Sequence, residues 1–211
     1  MDHTPLPIVL EGSHVRLEPL DRRHAPDLAA AGADPSIWSW LSQAPPEECG
    51  LQERTTWFEQ WIDWSLQRMA QGDLVFATIR KSTDRGADRA VGSTRYMAVR
   101  PQHRGLEIGW TWLGTSEQRT PVNTEAKHLM LTHAFDTLGM IRVELKTDSR
   151  NAKSRAAIER LGASFEGILR NHMVRRDGSY RDSALYSITG QQWPVVKDRL
   201  EQRLSTPHPR S

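Results

Sequence analysis

The chain has 211 residues, enough for one well-buried domain. Its 37% hydrophobic and 26% charged content is that of a globular protein; a net charge of +2 argues against nucleic acid, and no apolar run of about 18 residues is present to span a membrane. A lone cysteine, Cys49, excludes an internal disulfide, and MDHTPLPIVLEGSH lacks the basic-then-apolar plan of a signal peptide, so a cytoplasmic protein is expected.

In chain order, alternation over 14–20 predicts a first strand, and Asp21 caps a short helix reaching about Ala31. Five of the eight tryptophans (Trp38, Trp40, Trp57, Trp61, Trp64) fall in one N-terminal stretch. Between Glu47 and Met69 the apolar residues keep near-helical spacing. Residues 74–79 and 90–97 read as strand–turn–strand around Asp84-Arg85-Gly86, and 106–113 as a further strand. Strict alternation there puts Glu107 on one face with Gly109 and Thr111, opposite Ile108 and Trp110.

Asn123 and Thr124 are good caps for a helix over 123–138, with apolar positions Ala126, Leu129, Met130, Ala134 and Leu138 and a stop at Gly139. A β-rich run at 141–145, a helix from Asn151 to Gly162, two strands bracketing Asp177-Gly178 and a helix over about 191–204 follow. The order predicts one α/β (α+β) domain with an antiparallel stretch and a strand–helix–strand crossover. Its expected bounds are an extension at 1–10, the domain at 11–204 and a flexible polar tail at 205–211.

The loop Gln118-Arg119-Thr120-Pro121 stands before the 123–138 helix, where free N–H groups and the helix dipole favour phosphate. It holds no glycine for close backbone approach. Taken alone, it reads more simply as a capped helix with no ligand.

Three strings change that reading: LEIGWTWL before the loop, NTEAKHLMLTHAF after it, and DSRNAKSRAAIERLGASFEGILR downstream. The last contains Arg150-Asn151-x-x-Ser154, then Glu159-Arg160-Leu161-Gly162-Ala163 and Glu166-Gly167-x-Leu169-Arg170, with Asp182-x-x-x-Tyr186-Ser187 beyond. In this order they resemble the GNAT acyltransferases, and more closely the branch of ribosomal-protein N-terminal acetyltransferases, over roughly residues 11–190. The resemblance implies a single GNAT-fold domain with a mixed, mostly antiparallel sheet, flanked by helices and splayed in the middle. It also implies acetyl-CoA (coenzyme A) as co-substrate and an amine acceptor; the eight histidines are scattered without ligand spacing, so no metal site is expected.

By this resemblance the glycine-free loop receives the CoA pyrophosphate. Arg119 and Pro121 stand at the two glycine positions, and Pro121 lacks an N–H. The amides of Arg119, Thr120, Val122, Asn123 and Thr124, with Gln118 beside them, would serve instead, and the Arg119 side chain would add a charge-assisted contact. Freed backbone groups at Thr111, Trp112 and Leu113 would pair with the pantetheine arm, one N–H polarising the thioester carbonyl. Glu107 is the candidate base for the acceptor amine; a solvated strand carboxylate or an arginine partner is the alternative. Asn151 would contact the CoA arm, or cap its helix, or both. Ser154 would hydrogen-bond the CoA sulfur, since Ile158 stands where many members carry tyrosine.

Trp38 and Trp40 are expected at the rim of an acceptor site with Trp110, whereas Trp57 and Trp61 read as core. Transfer would pass through a ternary complex, without an acetyl-cysteine intermediate. The acceptor is a peptide N-terminus or a small-molecule amine (an antibiotic or polyamine); a catalytically weak acyl-CoA-binding module is the rival from another class. No nucleic-acid or membrane partner is expected, and the Trp-rich surface is a candidate homodimer contact.

Overall fold

The computed structural model describes residues 3–82 and 86–206. Strand β1 (Leu10–Glu11) turns through Gly12 into β2 (Val15–Pro19), and this hairpin is pinned from elsewhere in the chain. The buried Glu125 carboxylate accepts from the amides of Ser13 (2.9 Å), His14 (2.6 Å) and Val15 (2.7 Å). A Cβ on Gly12 would stand 2.6 Å from that carboxylate, so the turn needs glycine for close approach. Asp21 caps a 3-10 turn at Arg22–His24 that runs into α1 (Ala25–Ala31).

Helix α2 (Leu51–Met69) buries Phe58, Trp61, Ile62 and Ser65 along one face. Strands β3 (Leu74–Arg80), β4 (Arg89–Arg100) and β5 (Gly105–Leu113) form an antiparallel meander. In the predicted turn between β3 and β4, Asp84 and Arg85 lie outside the described residues. Helix α3 (Pro121–Thr132) continues through a wider turn at His133–Thr137 and ends at Gly139, whose φ of +65° suits glycine. The chain crosses back to β6 (Arg142–Asp148), parallel to β5. Then come α4 (Ala152–Leu161), β7 (Ser164–Val174), β8 (Tyr180–Thr189) and α5 (Trp193–Ser205). Of the predicted tail, 207–211 lie outside the described residues, and Ser205 closes α5 rather than opening the tail.

The strands make one sheet in the order β1-β2-β3-β4-β5-β6-β8-β7, with β5–β6 as its parallel pair. Helices cover both faces. Leu74, Phe76, Tyr96, Leu106 and Ile108 pack with α3, α4 and α5, while Val75, Ala77, Ile79 and Trp112 pack with α1 and α2. β3 therefore feeds both cores from alternate residues, which is why it reads as a continuous apolar run.

Candidate functional site

β5 and β6 pair only at Gly105–Arg142, Leu106–Val143 and Glu107–Glu144. Past Glu107, β5 stays with β4 and β6 with β8, so the sheet parts. Each strand leads to a helix N-terminus, α3 from β5 and α4 from β6, beyond the carboxyl ends of the parallel pair. That crevice is where open α/β sheets hold ligands.

β5 also carries a bulge at this place. Arg95 pairs with Gly109 and Ser93 with Trp112, one residue more on β5 than on β4, and Trp110 takes φ +51°. Left-handed backbone is a genuine outlier for a bulky residue. The indole is held 5.3 Å from the Trp64 ring and 4.8 Å from the Arg95 guanidinium. The extra residue overturns the expected alternation, because a shift of one exchanges the faces. Trp110 packs on the α2 side, as does Trp112 among Trp38, Phe58 and Trp61, whereas Thr111 turns to α3. Glu107, next to Leu106 and Ile108 of the α3-side core, thus shares its face with Trp110 and not with Thr111.

Lys127 of α3 meets Thr111. Its side-chain nitrogen is buried 2.6 Å from Thr111 Oγ1 and 2.9 Å from Thr94 Oγ1, and the two hydroxyls are 2.8 Å apart. Burial lowers its pKa to about 7, and it makes no ion pair among the described residues. The bulge is thus buttressed by an amine beneath it.

Glu107 is buried, with Lys146 Nζ at 2.8 Å from Oε2 off the alignment of a good hydrogen bond. Burial raises its pKa; Lys146 and Arg181 pull the other way, and Glu144 adds to the rise. Gly109 makes room for this carboxylate: a Cβ there would stand 2.8 Å from Met97 Sδ and 3.2 Å from Glu107 Oε1. Nearby, His172 Nδ1 lies 3.0 Å from Ser183 Oγ, its pKa lowered by burial and then by Lys146 and Arg181.

At the other end of the crevice, Arg119 adopts φ +64°, the left-handed conformation that glycine would supply. Thr120, not Asn123 or Thr124, is the N-cap: its Oγ1 accepts from Val122 N at 3.3 Å and donates to Glu117 O at 2.8 Å. Pro121 is the first helical residue, where an N–H would have no partner in any case. Its missing N–H costs the helix nothing but is one orphan donor fewer for an anion, and the donor set shifts as well. Val122 N is taken by the cap and Thr124 N by the first intrahelical bond, leaving Thr120 and Asn123 amides as the orphans of this terminus. Gln118 ties the two helix ends together: Nε2 donates to Leu113 O (3.1 Å) and Oε1 accepts from Lys153 Nζ in the first turn of α4. Asn151 caps α4 through Ser154 N at 3.0 Å, and Ile158 is buried.

Beside the N-terminal tryptophan segment, Trp57, Trp61 and Trp64 line a cleft of about 400 Å³ with Ser42, Gln60 and Arg176. Trp38 is not at its rim. It is 3% exposed, packed 4.9 Å from Trp112, with Nε1 donating to Gly32 O, because it closes the core between α1, α2 and the sheet. Trp40 is 38% exposed, with the Arg150 and Arg175 guanidiniums 5.8 and 5.6 Å from its ring. Lys127, Lys146, Lys153, His172, Arg175, Arg176 and Arg181 are site neighbours that sequence reasoning missed. The one available signal was the Arg175-Arg176 pair ahead of the Asp177-Gly178 turn.

A mixed sheet parted at one parallel pair, with two helix N-termini over the gap, defines an acyltransferase-type α+β fold. The profile of the acetyltransferase (GNAT) domain matches residues 14–164, and the chain belongs to that family. A GCN5-related N-acetyltransferase from Brucella melitensis superposes at TM-score 0.85 and 34% identity, over 96% of this chain and 87% of that one. Mycobacterium smegmatis RimJ, solved in complex with CoA-disulfide, shares the fold at TM-score 0.71 and 22% identity, over 92% and 91% of the two chains. A Bacillus subtilis (strain 168) protein with the provisional name ribosomal N-acetyltransferase YdaF is 32% identical over 95 residues, 45% of this chain and 51% of that protein. The chain thus spans about half the length of this curated relative.

Proposed function

We propose that this protein transfers an acetyl group from acetyl-CoA to a primary amine by direct attack within a ternary complex. The observation that carries the reading is the buried Glu107 carboxylate, its pKa raised, at the point where β5 and β6 part. The residues present fit the donor: orphan amides of Thr120 and Asn123, the nearby Lys153 ammonium and the unpaired edge of β5 beyond Glu107 all lie along one crevice. RimJ, of the same fold, is described with a CoA derivative, which supports that fit.

Acetyl-CoA, when bound, supplies the activated acyl carbon. The first turn of α3, with Arg119 in its left-handed turn and Lys153 opposite, holds phosphate. Backbone groups at Thr111, Trp112 and Leu113 orient the arm, and an N–H of the bulge receives the negative charge that develops on the carbonyl oxygen. Glu107 takes the proton of the amine, directly or through a water, as the C–N bond forms and the C–S bond breaks. The Ser154 hydroxyl hydrogen-bonds the departing sulfur, and water supplies its proton. Lys146 holds the carboxylate in place. Cys49, the chain's one thiol, donates to Pro46 O ahead of α2, which supports direct transfer.

The acceptor enters from the tryptophan cleft, beside Trp40 and Trp110. Exposed Ser42 and Gln60 on its border leave that cleft open to a chain end, which favours a peptide N-terminus, as does the name of YdaF. Release of CoA, measured across N-terminal peptides, amino acids, polyamines and aminoglycosides with product masses read in parallel, tests the reading. Acetylated product from at least one amine is expected; thioester left intact with every amine would make this a binding module instead.

A further inference from the structure

The face of the sheet that carries Glu107 is crowded with positive charge. Lys146, Arg150, Arg175, Arg176 and Arg181 gather there from β6, the turn after it and the β7–β8 hairpin. Two carboxylates answer them. Glu107 takes Lys146, and the buried Asp148 takes Arg175, with Arg150 Nε 3.6 Å away. Arg176 gives one nitrogen to Trp38 O at 3.2 Å and otherwise faces the tryptophan cleft.

Arg181 has no such arrangement. It is half-buried, and among the described residues no carboxylate lies within ion-pair distance of it. Its Nε is buried without a hydrogen-bond partner among the described residues. Burial lowers its pKa, and the neighbouring Arg175 lowers it further, while Asp148 and Glu107 pull it up from beyond contact. Lys146 and His172 are close enough to share its field. A partly desolvated guanidinium among other cations is unfavourable unless an anion joins it. A planar guanidinium matches a carboxylate with two parallel hydrogen bonds.

We propose that the acceptor is a primary amine whose own molecule carries a carboxylate, and that Arg181 binds that carboxylate while the amine lies at Glu107. The inference rests on the amine-acceptor reading above and narrows it to one substrate class. Free amino acids and peptides with an acidic residue at the N-terminus share this chemistry. Polyamines and C-terminally amidated peptides without an acidic residue lack it. The role of Arg181 is in acceptor binding, apart from the proton transfer at Glu107.

The test uses the full chain with CoA present, so that nothing turns over, and calorimetry with matched probes. These are Asp-Ala-Ala amide against Asn-Ala-Ala amide, and free glutamate against glutamine, the second pair keeping its α-carboxylate. At least tenfold tighter binding of the acidic peptide is expected, about 1.4 kcal/mol, with the preference lost in Arg181→Gln. Binding of glutamate and glutamine alike, each above the neutral peptide, would also support the site and identify the α-carboxylate as its ligand. The acid-against-amide comparison on the unaltered chain stands even if the variant folds poorly. Equal affinity for Asp-Ala-Ala amide and Asn-Ala-Ala amide, with glutamate and glutamine binding no more tightly than the neutral peptide, overturns the inference. If acid-selective binding is found but no amine is acetylated with acetyl-CoA, the anion site stands and the transferase reading falls.

Discussion

Lys127→Met should stabilise the protein near neutral pH and change how its stability depends on pH. Lysine in the unfolded chain titrates at 10.5, whereas burial brings Lys127 to about 7. Between those values the unfolded state holds the proton and the folded state does not, so stability rises with pH across this window and is lost as pH falls through it. The slope is about 1.4 kcal/mol per pH unit, and roughly 3.5 units give a penalty of about 5 kcal/mol at pH 7. Methionine removes that penalty and forfeits hydrogen bonds to Thr94 and Thr111, about 1 kcal/mol each. The two hydroxyls remain 2.8 Å apart and satisfy one another. The variant should therefore be more stable by about 3 kcal/mol at pH 7 and less stable at pH 9.5. Urea unfolding at half-unit steps from pH 6.5 to 9.5 measures both curves, and they should cross near pH 9. Parallel curves, or a variant several kcal/mol less stable at pH 7, would refute the picture of a neutral buried amine under the bulge.

Glu107→Gln should lower kcat by about 10²–10³ and remove the limb of the pH–rate profile on which the wild type slows as its raised carboxyl protonates. CoA affinity should stay within about twofold if Glu107 acts on the acceptor side; a retained limb would assign it to another group. Glu125→Gln replaces one accepting oxygen by an NH2 facing the amides of residues 13–15, at a loss of about 2–4 kcal/mol. Equal unfolding midpoints would mean that the β1–β2 hairpin is held by strand pairing alone. Arg119→Glu should weaken CoA at least about tenfold by calorimetry through charge reversal at a helix N-terminus. Arg119→Gly should leave global stability within about 1 kcal/mol, because relief of the left-handed strain offsets added freedom in the unfolded chain.

Legibility in the sequence followed how local each feature is. The order of strands and helices, the Asn151 cap and the Gly139 and Gly162 stops depend on residues within a turn of one another, and they read directly. The start of α3 was misplaced because two rival caps stand three residues apart, and Thr120 followed by Pro121 prevails over Asn123 and Thr124. The faces of β5 were misread because period-two alternation assumes a regular ladder, and nothing in Ile108-Gly109-Trp110-Thr111 announces an extra residue. Trp38 belongs to the core through distant partners, Phe58 and Trp112, that a local window cannot see. The same holds for the cations: Lys127, Lys146 and Arg181 look like ordinary surface charges until the sheet brings hydroxyls, a carboxylate and other cations around them.

Arg119 shows which part of a glycine matters in such a loop. The backbone turns through a left-handed residue, Thr120 closes the turn, and Pro121 launches the helix with its φ already set. None of this requires an absent side chain, only one dihedral angle held against an unfavourable steric term of about 1–2 kcal/mol. Arginine samples fewer backbone states than glycine before folding, so this corner loses less freedom when it becomes ordered. A search keyed to paired glycines would pass this chain by, although the same bend is present. The bend that launches α3 is thus better written as a sequence of torsions than as a sequence of letters.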